Sequence, residues 1–169
     1  GVLFTANWNE GLVLWDVGGA GRGGSVAAPV RLGAVVTVAS DPRLGGASVH
    51  NVWWLHVDGR RRFVLVGEEL TTGATVGNSS AGDVHVVDVG DLSQPAAWRE
   101  VAFLNVPRAG AHNVVVDEAR GLAYVAYYDG GVRALDVRGD LSACAAAHRA
   151  RDGRCDLRLM GREVGVALA

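Results

Sequence analysis

The chain repeats itself, and no other feature limits its fold as much. Residues 3–17 (LFTANWNEGLVLWDV) and 123–137 (AYVAYYDGGVRALDV) align without a gap. A third copy is split. RFVLVGEE at 62–69 matches the first half and GDVHVVDV at 82–89 the second, and the polar Gly/Ser/Thr-rich insertion between them reads as a surface loop. Two copies are preceded by a matching start, HNVWWLHVDG from His50 and HNVVVDEARG from His112. Downstream, Arg99-Glu100-Val101 recurs as Arg162-Glu163-Val164. Each unit thus carries four short segments, and four strands per unit is the pattern of a propeller blade. Runs such as FVLV and AYVAYY are apolar at successive positions, hence on both faces of a strand. That suits a sheet sandwiched between other sheets better than a half-exposed hairpin.

The pattern predicts an all-β chain: a partial β-propeller of about three four-stranded antiparallel blades, with about eleven strands and under about a tenth of residues helical. Blade one covers residues 1–48 without its opening strand, blade two 49–108, and blade three 109–169 with an insertion at 144–155. Closed propellers hold about four to eight blades, so the expectation is a section of a longer chain, with a self-associating half-propeller as the competing account. The start at Gly1-Val2-Leu3-Phe4, without Met and already strand-like, adds the expectation of an upstream segment that could include a signal peptide. A formal charge of -2, with no like-charge cluster beyond Arg60, Arg61 and Arg62, offers no footprint for nucleic acid or an acidic membrane. The arginine triple is expected on a solvated hairpin turn. No apolar run reaches the roughly 18 residues of a membrane span.

Three stretches carry a resemblance: HNVWWLHVDGRRRFVLVGEE, GDVHVVDVGDLSQPAAW with its Asp-Leu-Ser-x-Pro turn, and AHNVVVDEARGLAYVAYYDGGVRALDV. Together they cover most of residues 50–137, and in them the chain resembles the LVIVD-repeat propellers, most of all the bacterial surface proteins of the choice-of-anchor B group. The resemblance implies an extracellular or cell-surface propeller without established enzymatic activity, and the leading expectation is an extracellular, periplasmic or cell-surface module whose blade-edge loops bind a protein or polymer partner. The tail departs from the pattern, because Asp-Leu-Ser at 140–142 leads into a cysteine-bounded insertion instead of a proline turn. In a chain read as secreted, Cys144 and Cys155, bracketing CAAAHRARDGRC, are expected to form a disulfide.

Asp16, Asp88 and Asp136 share one repeat position before a turn, where a carboxylate accepts backbone N–H groups. Three copies argue for an architectural role. His50 and His112 also share a position, and each imidazole could tie one blade to the next. Alternatively, antiparallel pairing brings the start of a first strand beside the end of a second, setting His50 near Glu68 and Glu69, and His112 near Tyr128 and Asp129. Imidazoles and carboxylates converging there are candidate ligands for a divalent metal or a polar molecule. Asn7 and Asn9 would be the first blade's contribution. His56 and His85 are read as strand residues and His148 as part of the insertion, all structural or solvated. The five Trp are read as packing between blades. Asn78-Ser79-Ser80 matches a glycosylation acceptor expected to be idle in a bacterial protein, and the glycines of 18–24 lie between strands, where no helix would cradle phosphate. Two functions remain open at this point: a non-enzymatic surface module, and a metal-dependent oxidase or hydrolase using the His/acid group.

Overall fold

The structure, a computed structural model, describes residues 1–40, 48–70 and 81–168; the acceptor Asn78-Ser79-Ser80 and most of the polar insertion lie outside them. The chain is all-β, 44% strand and 8% helical. Sheet one is β1 (Val2–Ala6), β2 (Leu12–Asp16) and β3 (Val30–Val35) in chain order. Sheet two has β4 (Val49–Trp54), β5 (Phe63–Glu68), β6 (Val84–Asp88) and β7 (Arg99–Leu104) as successive neighbours. Sheet three runs β8 (Val114–Asp117), β9 (Leu122–Tyr127), β10 (Gly131–Asp136) and then β12 (Glu163–Ala167).

One expectation fails. The insertion contributes a further strand, β11 (Cys155–Asp156), and it pairs parallel to β7 on sheet two, with Cys155 opposite Ala102 and Asp156 opposite Phe103. Sheet two therefore has five strands, not four, and not every pair is antiparallel. The cause is an edge. The outer side of β7 presents unpaired backbone groups, which any nearby extended segment can complete, and the Leu157 N–H donates to the Phe103 carbonyl at 2.9 Å. The expected disulfide between Cys144 and Cys155, with its Cα atoms 6.0 Å apart, closes the insertion. The Arg154 guanidinium lies over the Phe103 ring, 4.5 Å from its centroid.

Sheet two is covered on both faces. Along β5, Phe63 and Leu65 point into one core with Val114, Val116, Val125 and Tyr127 of sheet three. Val64 and Val66 point into a second core with Leu12, Leu14 and Val35 of sheet one. Trp53 and Trp54 alternate in the same way, one packing on each core. The repeat makes these contacts equivalent. Phe4 and Ala6 in β1 match Phe63 and Leu65 in β5, and they too pack toward the following sheet. The matching residues of β9, Tyr124 and Ala126, lie on the far face of sheet three, exposed beside Val115 and Val132.

Sheets two and three are also joined by polar contacts. The Tyr127 hydroxyl, fully buried, accepts from the Val84 N–H at 3.1 Å and donates to the Leu104 carbonyl at 2.8 Å. Val84 and Leu104 are register partners in β6 and β7, so the phenol completes the end of that ladder from a neighbouring sheet. Arg62 extends from the start of β5 to Asp88, Asp140 and Ser142, pairing at 2.7 Å with Asp88. The arginine triple is thus exposed at Arg60 and Arg61, and at Arg62 partly exposed and ion-paired.

Replacing Tyr127 by Phe strands two buried backbone groups, and urea unfolding should show a loss of about 1–3 kcal/mol for each. The same change at exposed Tyr124 is expected to be close to neutral. Replacing both Cys144 and Cys155 by Ser should lower stability by about 3 kcal/mol, the loop-closure value for a ring of this size, and hydrogen exchange should then show β11 opening before β4–β7.

Candidate functional site

The site begins with two irregularities in strand pairing. In β4 the register to β5 slips between Val49 and Asn51, which leaves His50 as an extra residue. At the start of sheet three the His112 N–H donates to the Ala126 carbonyl and the Ala126 N–H to Asn113, so two residues oppose one. Such bulges re-aim side chains. Gly67, opposite Asn51, lets the second strand approach, because a Cβ there would stand 2.8 Å from the His112 carbonyl oxygen. Asn51 Oδ1 accepts the Val114 N–H at 3.2 Å and locks the approach.

The two imidazoles consequently stack, with centroids 4.6 Å apart. Glu69 follows β5 and is anchored by its N–H to the Ser48 carbonyl at 3.0 Å. Its carboxylate lies 3.2 Å from His50 Nδ1 through Oε2 and 3.6 Å from His112 Nε2 through Oε1. The Tyr128 hydroxyl donates to Oε1, and this hydrogen bond to a carboxylate, with lesser burial and charge effects, pushes the phenol up to about 12. Trp8 leans on His50 with centroids 5.7 Å apart, and Tyr128 stands edge-on to His112 at 5.2 Å. Glu69 is nearly buried, while the His50 and His112 side chains are 28% and 32% exposed. One ligand atom from each of these three residues lies within 4.8 Å of the others, so the group could hold a metal ion.

The sequence placed other residues here. Glu68 turns into the space between sheets one and two. Asp129 sits exposed in the turn after β9, and Tyr128 is the residue bonded to Glu69. Asn7 closes its own turn by donating to Glu10 at 3.2 Å, Asn9 is exposed, and Trp8 is the side chain sheet one supplies. Trp15 bonds Thr5 within sheet one, so of the five Trp only Trp53, Trp54 and Trp98 pack in the cores. His56 lies outside any strand, exposed between β4 and a short turn, and His148 ends another such turn. The aspartates take the turn position. Asp16 gathers the N–H groups of Gly18, Gly19, Ala20, Arg22 and Gly24, and these bonds hold its carboxyl well below the usual range. Asp88 accepts the Gly90 N–H, and Asp136 accepts from Arg138, whose side chain draws Asp136 down to about 2.

A second polar cluster, buried, was not legible as a unit. His85 in β6 is fully enclosed, with Nδ1 2.8 Å from Glu100 Oε1 and Nε2 3.4 Å from Glu68 Oε2. Arg154 pairs with Glu100 from the insertion. The Ser40 N–H reaches Glu68, and the Val38 N–H reaches Glu100 at 2.6 Å. Burial alone would push the imidazole down, but its bond to Glu100 and the close Glu68 carboxylate outweigh that and raise it to about 9. Nearby Asp83, raised to about 6 chiefly by burial, receives the Asn105 amide at 2.7 Å. Alternation offered one sign of this cluster. Val66 faces His85, and Glu68 lies two residues beyond Val66 on the same side of β5. Arg154 gave none.

No family model, curated protein or solved structure matches the chain.

His85 yields a pH dependence. Its folded value is raised, so the stability it contributes is complete below an imidazole's ordinary 6.5 and is lost as pH rises through about 9. The thermal midpoint should therefore fall across that range in the parent and stay flatter in His85→Gln. His85→Leu, which takes the imidazole from between two buried carboxylates, should cost about 3–5 kcal/mol by urea unfolding.

Proposed function

We propose that the chain is a section of an extracellular β-propeller of the LVIVD-repeat kind, akin to the choice-of-anchor B group, and that it acts by binding a protein or polymer partner rather than by catalysis. The observation that carries this reading is the equivalence of faces. Phe4 and Ala6 seat against sheet two as Phe63 and Leu65 seat against sheet three, so each sheet follows the last by one recurring contact. Tyr124, Ala126, Val115 and Val132 then form the surface on which a further blade would pack, and their apolar character supports that assignment. The blades are those of residues 1–48, 49–108 and 109–169. The disulfide and the lack, among the described residues, of a helix long and apolar enough to cross a membrane are compatible with an extracellular location. Trp8, His50, His112 and Tyr128, partly open to solvent at one end of the sheets, offer rings and imidazoles to a partner.

A second reading, a metal-dependent oxidase or hydrolase, is favoured by one observation, the convergence of His50, Glu69 and His112. Two measurements test the choice. If the far face of sheet three is a blade seat, the 169-residue chain should self-associate or bind an apolar dye, and Tyr124→Asp with Val132→Asp should suppress this. A monomer that binds no dye would sink the propeller reading. Ester hydrolysis or dioxygen consumption by metal-supplemented protein, abolished in His112→Ala, would replace the binding role with the enzymatic one.

A further inference from the structure

We infer that His50, Glu69 and His112 form a site for a first-row divalent ion of borderline softness, zinc or copper, spanning sheets two and three. The inference stands on local geometry and not on the propeller reading. Two imidazole nitrogens and one carboxylate oxygen are an ordinary donor set for such ions, whereas magnesium and calcium prefer oxygen ligands alone. Donor atoms bound at about 2.0–2.1 Å around a tetrahedral or octahedral ion stand roughly 2.9–3.4 Å apart. The nearest separations, 3.2 Å from Glu69 Oε2 to His50 Nδ1 and 3.6 Å from Glu69 Oε1 to His112 Nε2, are close to that spacing and run to the two oxygens of one carboxylate, a group that binds an ion through one oxygen or both. The remaining edge, within 4.8 Å, closes by rotating imidazoles that are partly exposed.

The donors are held before any ion arrives. His50 and His112 are aimed by the two pairing irregularities, and Gly67 allows their strands to approach. Glu69 is fixed by its N–H to Ser48 and by the Tyr128 hydroxyl on Oε1, an outer partner of the kind that orients a metal-bound carboxylate. Three protein donors leave a further coordination position, and the exposed sides of the imidazoles open it to solvent. An ion there would also neutralise a carboxylate that lies nearly buried between two imidazoles. It would tie the end of β5 to the start of sheet three.

Calorimetric titration of the 169-residue chain with Zn(II), with Ca(II) as comparator, tests the site. One zinc per chain should bind, with a raised thermal midpoint that a chelator reverses, and Ca(II) should have no effect. His50→Ala, His112→Ala and Glu69→Gln should each weaken zinc by roughly 10- to 100-fold or more, since even outer-sphere changes reach that range. Because a variant could misfold, the parent is also loaded with Co(II), where visible absorption of a low-coordinate nitrogen–oxygen site is expected. Failure of the parent to bind Zn(II), or undiminished binding in the His50→Ala/His112→Ala double variant, would overturn the inference. A hydrated-ion Co(II) spectrum would overturn it as well. None of these outcomes bears on the blade seat, which is tested by self-association.

Discussion

The structure depends on one constraint: β5 is apolar on both faces and has to be covered on both. A strand reading FVLV cannot rest in a two-layer sandwich with one side in water, because each large side chain left exposed forfeits roughly 1.5–3 kcal/mol of burial. Sheet one takes Val64 and Val66, and sheet three takes Phe63 and Leu65. The order of the sheets follows from this demand. The same demand recurs at β9, where Val125 and Tyr127 are covered and Tyr124 and Ala126 are not.

Stacking sheets this closely leaves little room for charged groups, and those between the sheets lie in ion pairs. Between sheets one and two, His85 is flanked by Glu68 and Glu100, and Arg154 supplies the balancing charge. Such an arrangement adds little net stability, because desolvation offsets the attraction, but removing one partner leaves a buried charge uncompensated. Between sheets two and three the Tyr127 phenol does similar work with two backbone groups. Both devices join residues far apart in the chain. Arg154 also explains why the insertion lies against β7, since its charge partner Glu100 and its stacking partner Phe103 are both on that strand.

The candidate metal group shows how departures from the repeat create a site. Regular pairing would send His50 and His112 to equivalent and well-separated places. The slip at Val49/Asn51 and the doubled pairing at Ala126 instead turn both rings toward Glu69. Strand direction alone was enough to place His50, Glu69 and His112 at one end of the sheets. It could not distinguish Glu69 from Glu68, because neighbours in a strand end point to opposite faces and the bulge decides which one faces the imidazoles. Nor could it see that Tyr128 and not Asp129 would reach the carboxylate, or that Trp8 and not its flanking asparagines would meet His50.

What the sequence determined by itself is whatever is local or periodic: the all-β class, the Asp turns at 16, 88 and 136, and a disulfide between its two cysteines. These rest on short-range chemistry, on apolar periodicity and on carboxylates within reach of the next few N–H groups. Tertiary structure alone decided the parallel pairing of β11 on β7, the His85–Glu68–Glu100–Arg154 cluster and the orientation of Glu69 against Glu68. Each depends on a contact between segments with no common register, such as an insertion and an open edge or two sheets stacked face to face. The physical reason is that periodicity encodes which face of a strand is apolar, whereas the partner brought to that face is selected by packing across the whole molecule.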